Sequence, residues 1–496
     1  MRLAMVGSEC VPYVSTGGLG EVVGGLSAAL ARAGHEVTVY LPYYRAVRER
    51  FREKAQVLVR SVTVPFEHYN RYVAVVDGGV LEGVKFLFID CPELFDRNGL
   101  YGDEGGEYRD NWERFGLFCR AVLEVSKQLD IPEVFHVHDW QAAMLPVYLG
   151  TVYATDPALR RVATVQTLHN AGYQGVFPAE TTQRLLLPWE IFSEHGLEHY
   201  GRFNFLKGGL MYGDKLTTVS RRYAEEIQTP EYGESLDGVF RWRAGDLRGI
   251  LNGADQGHWD PERDPNLAAH FSTHDLAGKA ECRADLLHAF GLDGVSESTA
   301  VIGMVSRLTH QKGLDLLMQA EEDLAGRDIA MVILGTGEPY YEKRLTEWAG
   351  RRSDRIAVRL AFDEAMAHKV TAGSEMVLMP SLYEPCGLNQ IYAMRYGTVP
   401  VVRATGGLED TVHEWDAVNK SGTGFKFKEF TSAAMVEAVD RALAVRQDRD
   451  AWAELMRNGM AQEFGWERPA EEYAAVYEEA LRGKASPERA GRAVEV

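Results

Sequence analysis

The chain has 496 residues, of which 46% are hydrophobic and 25% charged, and its formal net charge is −19. This length allows at least two domains with large cores, and the acidic balance argues against a protein that coats nucleic acid or an anionic membrane. The five cysteines show no CxxC or Cys/His spacing, which favours reduced thiols and a cytoplasmic location over disulfides or zinc. We expect no signal segment, because the chain begins with a predicted strand and not with a basic-then-apolar segment. We also expect no membrane span, because no apolar run approaches ~20 residues.

The first half of the chain alternates short apolar runs with helical spacing. The pattern predicts helices over residues 18–33 and 111–128. Each predicted strand ends in polar or glycine residues, which is typical of βαβ units in a parallel, doubly wound sheet. The predicted strands are 3–7, 37–41, 84–89, 134–137, 163–168 and 215–219.

The second half repeats the same alternation after a turn-rich segment, residues 247–264. We therefore predict an α/β fold with two Rossmann-like domains, 1–245 and 246–468, a helix over 469–483 that packs back on the first domain, and a flexible tail, 484–496. The predicted strands are 300–305, 329–334, 356–360, 376–379 and 399–402, and the predicted helices include 314–322, 364–373 and 433–445.

Glycines lie between the first predicted strand and the first predicted helix. Gly17 and Gly18 there would let a ligand approach the backbone at a helix N-terminus; a structural glycine turn is the alternative. The run 18–24 imitates a dinucleotide fingerprint. However, roughly ten residues separate the strand from these glycines and no acid ends the second strand, which disfavours a nicotinamide dehydrogenase.

Two cations follow the predicted strand 300–305. Arg307 and Lys312 both precede a predicted helix. A planar guanidinium and an ammonium together can neutralise a diphosphate. Solvated surface charges are the alternative, although cations at a helix N-terminus oppose the helix dipole, which disfavours chance placement.

The segment 384–390 (EPCGLNQ) joins a predicted strand to a predicted helix. Open α/β sheets bind ligands at the carboxyl ends of their strands, and helix N-termini favour phosphate. We therefore predict a phosphorylated ligand beside Glu384, with a capping or ion-paired carboxylate as the alternative. Cys386 has no identifiable partner in the sequence, so we assign it to packing or backbone support rather than to nucleophilic catalysis.

Polar residues also follow two strands of the first half. Asp139, in the segment 138–140 (HDW), follows one predicted strand, and His169 comes directly after the next, where they can contact sugar hydroxyls. His136 and His138 share one face of a strand, and hydrogen-bonded strand histidines are the favoured interpretation, because no ligand spacing requires a metal. Phe362 is suited to stacking on a base, or else it belongs to the core.

Taken together, these motifs resemble bacterial glycogen synthases and plant starch synthases, which are retaining glucosyltransferases. The resemblance implies the GT-B fold, with two facing Rossmann-like domains, parallel sheets and an interdomain cleft. The matching segments follow the family order along nearly the whole chain: 8–9 (SE), 16–20 (TGGLG), 138–140 (HDW), 169–170 (HN), 249–253 (GILNG), 306–308 (SRL), 311–313 (QKG), 384–388 (EPCGL) and 405–408 (TGGL).

The resemblance also implies substrates and residue roles. The donor would be ADP-glucose, with UDP-glucose as the other nucleotide sugar considered, and the acceptor an α-glucan extended at its non-reducing end; no metal and no cofactor is expected. The catalytic group would comprise Glu384, His169, Arg307 and Lys312. The donor-binding residues would be Ser15, Gly17, Gly18, Glu21, Asn252, Phe362, Cys386, Gly387, Leu388 and Asn389. The acceptor-side residues would be Glu9, Tyr101, Asp139 and Trp140.

Three of these positions depart from the family pattern. Ser15 stands where the family usually has lysine, Glu21 replaces an aspartate, and Asn389 replaces a threonine. The lost cation puts donor affinity and nucleotide choice in question, but the catalytic group is intact, so we expect a working enzyme. Another GT-B nucleotide-sugar transferase and a catalytically weak glucan-binding protein stay as alternatives, and the sequence leaves the oligomeric state open.

Overall fold

The computed structural model describes residues 1–51, 53, 55–67, 69–103 and 105–485, and these form two compact α/β units. The first unit comprises Met1–Val219, Ala224–Gly253 and the described chain from Trp466 onward, and the second comprises Ser220–Tyr223 and Ala254–Gly465. The expected flexible tail, 484–496, lies from residue 486 onward outside the described residues.

The strands fall into one large sheet in each unit, with two small sheets beside them. In chain order they are β1 (Arg2–Val6), β2 (Glu36–Pro42), β3 (Gln56–Phe66), β4 (Tyr69–Leu81), β5 (Val84–Asp90), β6 (Gly102–Asp103), β7 (Gly106–Glu107), β8 (Val134–His138), β9 (Ala163–Leu168), β10 (Val176–Phe177), β11 (Glu198–His199), β12 (Arg202–Asn204), β13 (Lys215–Thr218), β14 (Leu247–Gly249), β15 (Ala300–Val305), β16 (Ile329–Leu334), β17 (Ile356–Arg359), β18 (Met376–Met379), β19 (Val399–Arg403) and β20 (Phe425–Phe427).

The helices cover the faces of these sheets, and two further short segments, Trp189–Ile191 and His310–Lys312, are 3-10 helices. In chain order the helices are α1 (Gly18–Arg32), α2 (Arg45–Phe51), α3 (Pro92–Phe95), α4 (Asn111–Gln128), α5 (Asp139–Ala142), α6 (Met144–Gly150), α7 (Thr181–Arg184), α8 (Phe205–Tyr212), α9 (Arg221–Glu226), α10 (Asp237–Trp242), α11 (Gly278–Ala289), α12 (Leu314–Gln319), α13 (Glu321–Ala325), α14 (Pro339–Arg351), α15 (Glu364–Gly373), α16 (Asn389–Arg395), α17 (Gly406–Thr411), α18 (Ser432–Arg446), α19 (Arg449–Met460) and α20 (Glu467–Ala485).

The first unit contains a nine-stranded sheet in the order β14-β13-β9-β8-β1-β2-β5-β4-β3. The strands from β14 to β5 are parallel, as predicted, whereas β4 pairs antiparallel with both β5 and β3. The sequence analysis did not predict this hairpin, because its strands are largely exposed and register shifts interrupt their alternation. The strand order reverses at β1, whose neighbours are β2 and β8.

The second unit contains a six-stranded parallel sheet in the order β17-β16-β15-β18-β19-β20. Its order reverses between β15 and β18, which places the ends of these two strands side by side. The prediction of one helix over 314–322 is wrong, because the chain turns at Ala320, whose amide donates to two carbonyls, those of Leu316 and Leu317. The separate helices α12 and α13 follow from that turn.

The last helix, α20, belongs to the first unit and packs against β9 and α1. Its Tyr473 and Tyr477 are buried, and the Tyr477 hydroxyl lies 2.8 Å from Nδ1 of His136. Burying each such aromatic side chain contributes about 2–3 kcal/mol, which attaches the end of the chain to the sheet. Among the described residues, none of the helices combines the length and apolar character needed to span a bilayer.

Candidate active site

A cavity of about 150 Å³ lies at the carboxyl ends of β15 and β18 in the second unit. This is the position where the strand order of the sheet reverses, the usual ligand position in open α/β sheets. The cavity brings together Arg307, Lys312 and Asn389 of the predicted site. Its lining residues are Met304, Val305, Ser306, Arg307, Lys312, Leu378, Met379, Ser381 and Asn389.

Glu384 lies beside this cavity and is held by two of the residues that line it. Lys312 Nζ lies 2.9 Å from its Oε1 and 2.7 Å from its Oε2, and Ser381 Oγ donates to Oε2 at 2.9 Å. The Glu384 side chain is only 7% exposed. Buried charged groups are usually paired, and Glu384 is paired with Lys312, which lines the cavity together with Arg307.

The loop that carries Glu384 is held by its backbone neighbours. Gly407 N donates to the Glu384 carbonyl at 3.0 Å, and a Cβ at Gly407 would lie 1.9 Å from the carbonyl oxygen of Cys386. Gly313 has φ +71°, and a Cβ there would lie 1.9 Å from the Pro380 carbonyl oxygen. Two of the glycine-containing motifs therefore permit the backbone contacts that position the 380–387 loop.

The remaining predicted donor residues of the second unit have different surroundings. Asn389 Nδ2 donates to the carbonyl of Val305 at 2.6 Å, which joins the start of α16 to the end of β15. Cys386 is buried, Gly387 has φ +72°, and Leu388 packs beside a small apolar cluster. Phe362 is 92% exposed, which excludes the alternative that it belongs to the core.

In the first unit, Glu9 accepts three hydrogen bonds although it is only 3% exposed. The hydroxyl of Thr16 donates to Oε1 at 2.8 Å, its amide donates to Oε2, and the Tyr101 hydroxyl donates to Oε1 at 2.5 Å. Ser8 Oγ lies 2.8 Å from the same Tyr101 hydroxyl. Burial raises the pKa of Tyr101 well above its usual value, and the adjacent Glu9 charge adds to this, so the phenol stays a donor.

Asp139 and His169 meet at the ends of β8 and β9. Asp139 Oδ1 accepts the backbone N–H of His169 at 2.6 Å, and Asp139 has φ +53°, a strained conformation for a non-glycine residue. Burial raises the pKa of Asp139 to about 7, and the charge of Glu9 adds to the rise. Burial lowers the pKa of His169 to about 3, so its imidazole is neutral near pH 7.

Of the two strand histidines next to this group, one is fully and the other only partly hydrogen-bonded. His136 contacts Tyr477 and, at 2.5 Å from Nε2, the hydroxyl of Thr167. His138 Nδ1 lies 3.2 Å from His169 Nε2, whereas His138 Nε2 is buried without a hydrogen-bond partner among the described residues. The prediction of hydrogen-bonded strand histidines therefore applies fully to His136 and to one nitrogen of His138.

Trp140 and Asn252 are both buried in the first unit. The Trp140 ring packs edge-on against Phe115, with centroids 5.0 Å apart, and also against Phe205 at 6.1 Å. Asn252 Oδ1 is buried and has no hydrogen-bond partner within the part of the chain that the structure describes. An amide oxygen of this kind is available to a ligand donor.

The glycine loop at the start of α1 is exposed. Ser15 Oγ donates to the carbonyl of Gly17 at 2.9 Å, and Glu21 lies in the first turn of the helix. A Cβ at Gly17 or Gly18 would meet no atom within 4 Å. Packing of the described residues therefore does not require glycine at these two positions, and ligand approach to the backbone there stays a prediction.

Two serines of the cavity were missed as site residues by the sequence analysis. Ser381 donates to Glu384, and Ser306 Oγ is buried without a hydrogen-bond partner among the described residues while the residue lines the cavity. The position of Ser381 three residues before Glu384 could have indicated it as a site residue. For Ser306 the corresponding signal was its position directly after the strand 300–305.

The fold and this cavity define a glycosyltransferase of the GT-B class. The family described as starch synthase catalytic domain matches residues 2–242, and the family described as glycosyl transferases group 1 matches residues 293–458. Glycogen synthases of Koribacter versatilis (strain Ellin345) and Anaeromyxobacter dehalogenans (strain 2CP-C) are 52% and 46% identical, over 98% and 96% of this chain and 99% of each relative. The chain belongs to the glycogen and starch synthase family and is a glucosyltransferase.

Solved structures agree with this assignment. The catalytic domain of starch synthase IV from Arabidopsis thaliana, bound to ADP and acarbose, is 30% identical with a TM-score of 0.88, over 97% of this chain and 99% of that one. Sucrose-phosphate synthase from Thermosynechococcus elongatus, with a TM-score of 0.60 at 17% identity over the same shares, resembles the chain in fold alone.

Proposed function

We propose that the protein transfers glucose from ADP-glucose to the non-reducing end of an α-1,4-glucan with retention of the anomeric configuration. The single observation that carries this proposal is the cavity at the ends of β15 and β18, where Arg307 and Lys312 line one space and Glu384 adjoins it. Cations beside a buried carboxylate suit a ligand that joins a diphosphate to a sugar.

In this proposal the diphosphate binds between the cations of the second unit. Arg307 and Lys312 face its oxygens, together with backbone N–H groups at residues 387–389 and the side chain of Asn389. Because negative charge grows on the leaving phosphate in the transition state, fixed cations there raise turnover more than ground-state binding. No metal is assigned to this step.

Glu384 contacts the donor glucose and stabilises the positive charge that develops at its anomeric carbon. The bond between the anomeric carbon and the phosphate oxygen breaks, and the acceptor hydroxyl oxygen bonds to the same face of the anomeric carbon. The proton of that hydroxyl passes to the departing phosphate oxygen. His169 and Asn252 contact the transferred glucose. The neutral state of His169 supports this role, because a neutral imidazole can donate to a sugar hydroxyl without adding charge.

The acceptor glucan binds on the side of Glu9, Tyr101, Asp139 and Trp140. The carboxylates and the phenol among them form hydrogen-bonded groups that suit sugar hydroxyls, and an aromatic ring suits the apolar face of a sugar. The starch synthase IV domain from Arabidopsis is bound to ADP and acarbose, which supports a nucleotide and a saccharide as the ligand classes here.

Nucleotide choice depends in this proposal on residues 15 and 362. The exposed ring of Phe362 is available to stack on adenine. The donor side is completed by Gly17, Gly18, Glu21, Cys386, Gly387 and Leu388.

Ser15 provides no cation where the family has lysine. We expect Ser15→Lys to lower KM for ADP-glucose about tenfold, equivalent to one added charge-assisted contact of about 1.4 kcal/mol.

Steady-state rates with ADP-glucose and with UDP-glucose on a glycogen primer test the proposal. We expect elongation from ADP-glucose, at a higher kcat/KM than from UDP-glucose. Elongation from neither donor, by protein that retains its native fold, would remove the proposed reaction. Transfer to free glucose or fructose in place of glycogen would instead identify another nucleotide-sugar transferase.

Three organisational points belong to the same proposal. We infer an acceptor domain over 1–245, a donor domain over 246–468 and a returning helix over 469–483. Limited proteolysis tests these boundaries, because cleavage should occur between the domains.

A cytoplasmic location is supported by five free, buried cysteines, and cell fractionation tests it. Sedimentation equilibrium measures the oligomeric state.

A further inference from the structure

A cluster of two histidines and one glutamate lies in the second unit, outside the cavity described above. One ligand atom from each of His258, Glu364 and His368 lies within 4.8 Å of those of the other two. Glu364 and His368 are four residues apart on α15, so they share one face of the helix. His258 comes from the turn-rich segment 247–264, more than a hundred residues earlier.

His368 is oriented in this cluster by its neighbours. Its side chain is fully buried, its ring stacks on Trp259 with centroids 3.7 Å apart, and its Nδ1 lies 2.6 Å from Oδ2 of Asp264. A carboxylate only accepts hydrogen bonds, so Nδ1 carries a proton, and Nε2 is the nitrogen that offers a lone pair in that tautomer of the neutral imidazole. That Nε2 is buried and has no hydrogen-bond partner among the described residues.

An unpartnered buried lone pair on an imidazole is costly unless it binds a ligand. A histidine that binds a metal through one nitrogen usually donates its other N–H to a carboxylate, which fixes the ring and the tautomer. Asp264 occupies that second position here, and it is held in turn by the hydroxyl of Tyr396 at 2.6 Å.

The other two side chains supply the remaining ligand atoms. His258 Nε2 lies 2.8 Å from Oε1 of Glu364, and both side chains are more than half exposed. Bonds of about 2 Å to a tetrahedral ion place its ligand atoms roughly 3.4 Å apart. The three side chains therefore need only small movements to surround an ion, which would take the place of the proton between His258 and Glu364.

We propose that His258, Glu364 and His368 bind one divalent transition-metal ion of the zinc type, with water as the fourth ligand. Two imidazoles and one carboxylate suit zinc better than magnesium or calcium, which prefer all-oxygen ligands. The ion joins the turn-rich segment 247–264 to the first two turns of α15, which begins two residues after Phe362. Its role is structural, and the proposal does not depend on the glucosyl transfer.

Metal titration of chelator-treated full-length protein tests this site. We expect one Zn²⁺ per chain by calorimetry, and a Co²⁺ complex with the intense visible absorption of a tetrahedral site. His258→Ala and Glu364→Gln should each weaken Zn²⁺ binding at least tenfold while circular dichroism stays unchanged. Both changes affect exposed side chains, so they avoid the buried contact between His368 and Asp264.

His288→Ala is the matched control, because His288 forms an exposed pair with Asp293 at 2.8 Å in the same unit but has no third ligand among the described residues. This variant should bind Zn²⁺ like the unaltered protein, and Mg²⁺ should not compete. Absence of stoichiometric Zn²⁺ binding, or binding that neither His258→Ala nor Glu364→Gln weakens, would overturn the proposal.

Discussion

The ammonium group of Lys312 contacts both carboxylate oxygens of Glu384, at 2.9 and 2.7 Å, although 72 residues separate the two in the chain. The lysine side chain is 16% exposed and the glutamate 7%, so the pair is largely removed from water. Breaking it therefore leaves a charge in a poorly solvated position.

We expect Lys312→Ala to lower turnover about 10²–10³-fold, because in the proposed mechanism the variant loses one of the two cations assigned to the leaving phosphate. It should also lower the free energy of unfolding by about 2–4 kcal/mol, because Glu384 loses its counter-ion. Rates on a glycogen primer and urea unfolding measure the two effects.

Lys343→Ala is the control for this change, because Lys343 forms an exposed ion pair with Glu347 at 3.9 Å and should leave both measurements unchanged. A Lys312→Met/Glu384→Gln double variant should regain most of the stability without regaining turnover. Near-normal turnover in natively folded Lys312→Ala protein would contradict the assigned role.

Gly407→Ala should disturb the loop that carries Glu384, because the added Cβ would lie 1.9 Å from the Cys386 carbonyl oxygen. We expect a loss of about 3 kcal/mol in the free energy of unfolding and at least a tenfold lower turnover. Gly350→Ala, where a Cβ would meet no atom within 4 Å, should be neutral or slightly stabilising. Equal thermal stability of the two variants would show that the loop tolerates the added atom.

Asp139 should make the protein less stable as the pH rises from about 4 to about 7. Burial raises the pKa of this carboxyl to about 7, so between its unfolded and folded pKa values the native state binds more protons than the unfolded state. Asp139→Asn keeps the oxygen that accepts the His169 N–H but cannot ionise. Relative to the unaltered protein, the variant should gain about 2 kcal/mol of stability between pH 5 and pH 8.

Urea unfolding at pH 5, 6, 7 and 8 measures this difference for the two proteins. Parallel stability curves would mean that Asp139 ionises normally in the folded state. The hydrogen-bonded amide of His169 offers a second measurement, because its protection factor, which is corrected for the intrinsic pH dependence of exchange, should respond to the ionisation of residue 139 only when that residue is aspartate.

The three histidines of the first unit should destabilise it at acidic pH. Burial lowers the pKa values of His136 and His169 to about 3 and that of His138 well below its usual value. Below about pH 6.5 the unfolded chain therefore binds more protons than the native state. Each of the three histidines then lowers the free energy of unfolding by up to about 1.4 kcal/mol per pH unit as the pH falls. Amide exchange at pH 7 and pH 5 should show a larger loss of protection in β8 and β9 than in β15 and β16; equal losses would contradict the prediction.

The alternation of strands and helices was predictable because it depends on short windows of sequence. The strands 163–168, 300–305 and 329–334 have the predicted bounds. The last two consist of apolar residues and glycine and are flanked by polar or glycine residues, which marks their ends in the sequence. The β3–β4 hairpin was not predictable in the same way, because exposed edge strands with shifted register lack a clear period.

The candidate site was likewise predictable in part. The sequence determined which residue types follow each strand, and hence that cations, a carboxylate and histidines lie at strand ends, because hydrophobic periodicity and turn residues are local properties. Only the tertiary structure decided which strand ends are neighbours. The pairing of Lys312 with Glu384 and the meeting of His258 with α15 depend on strand order and loop packing, which no local pattern encodes.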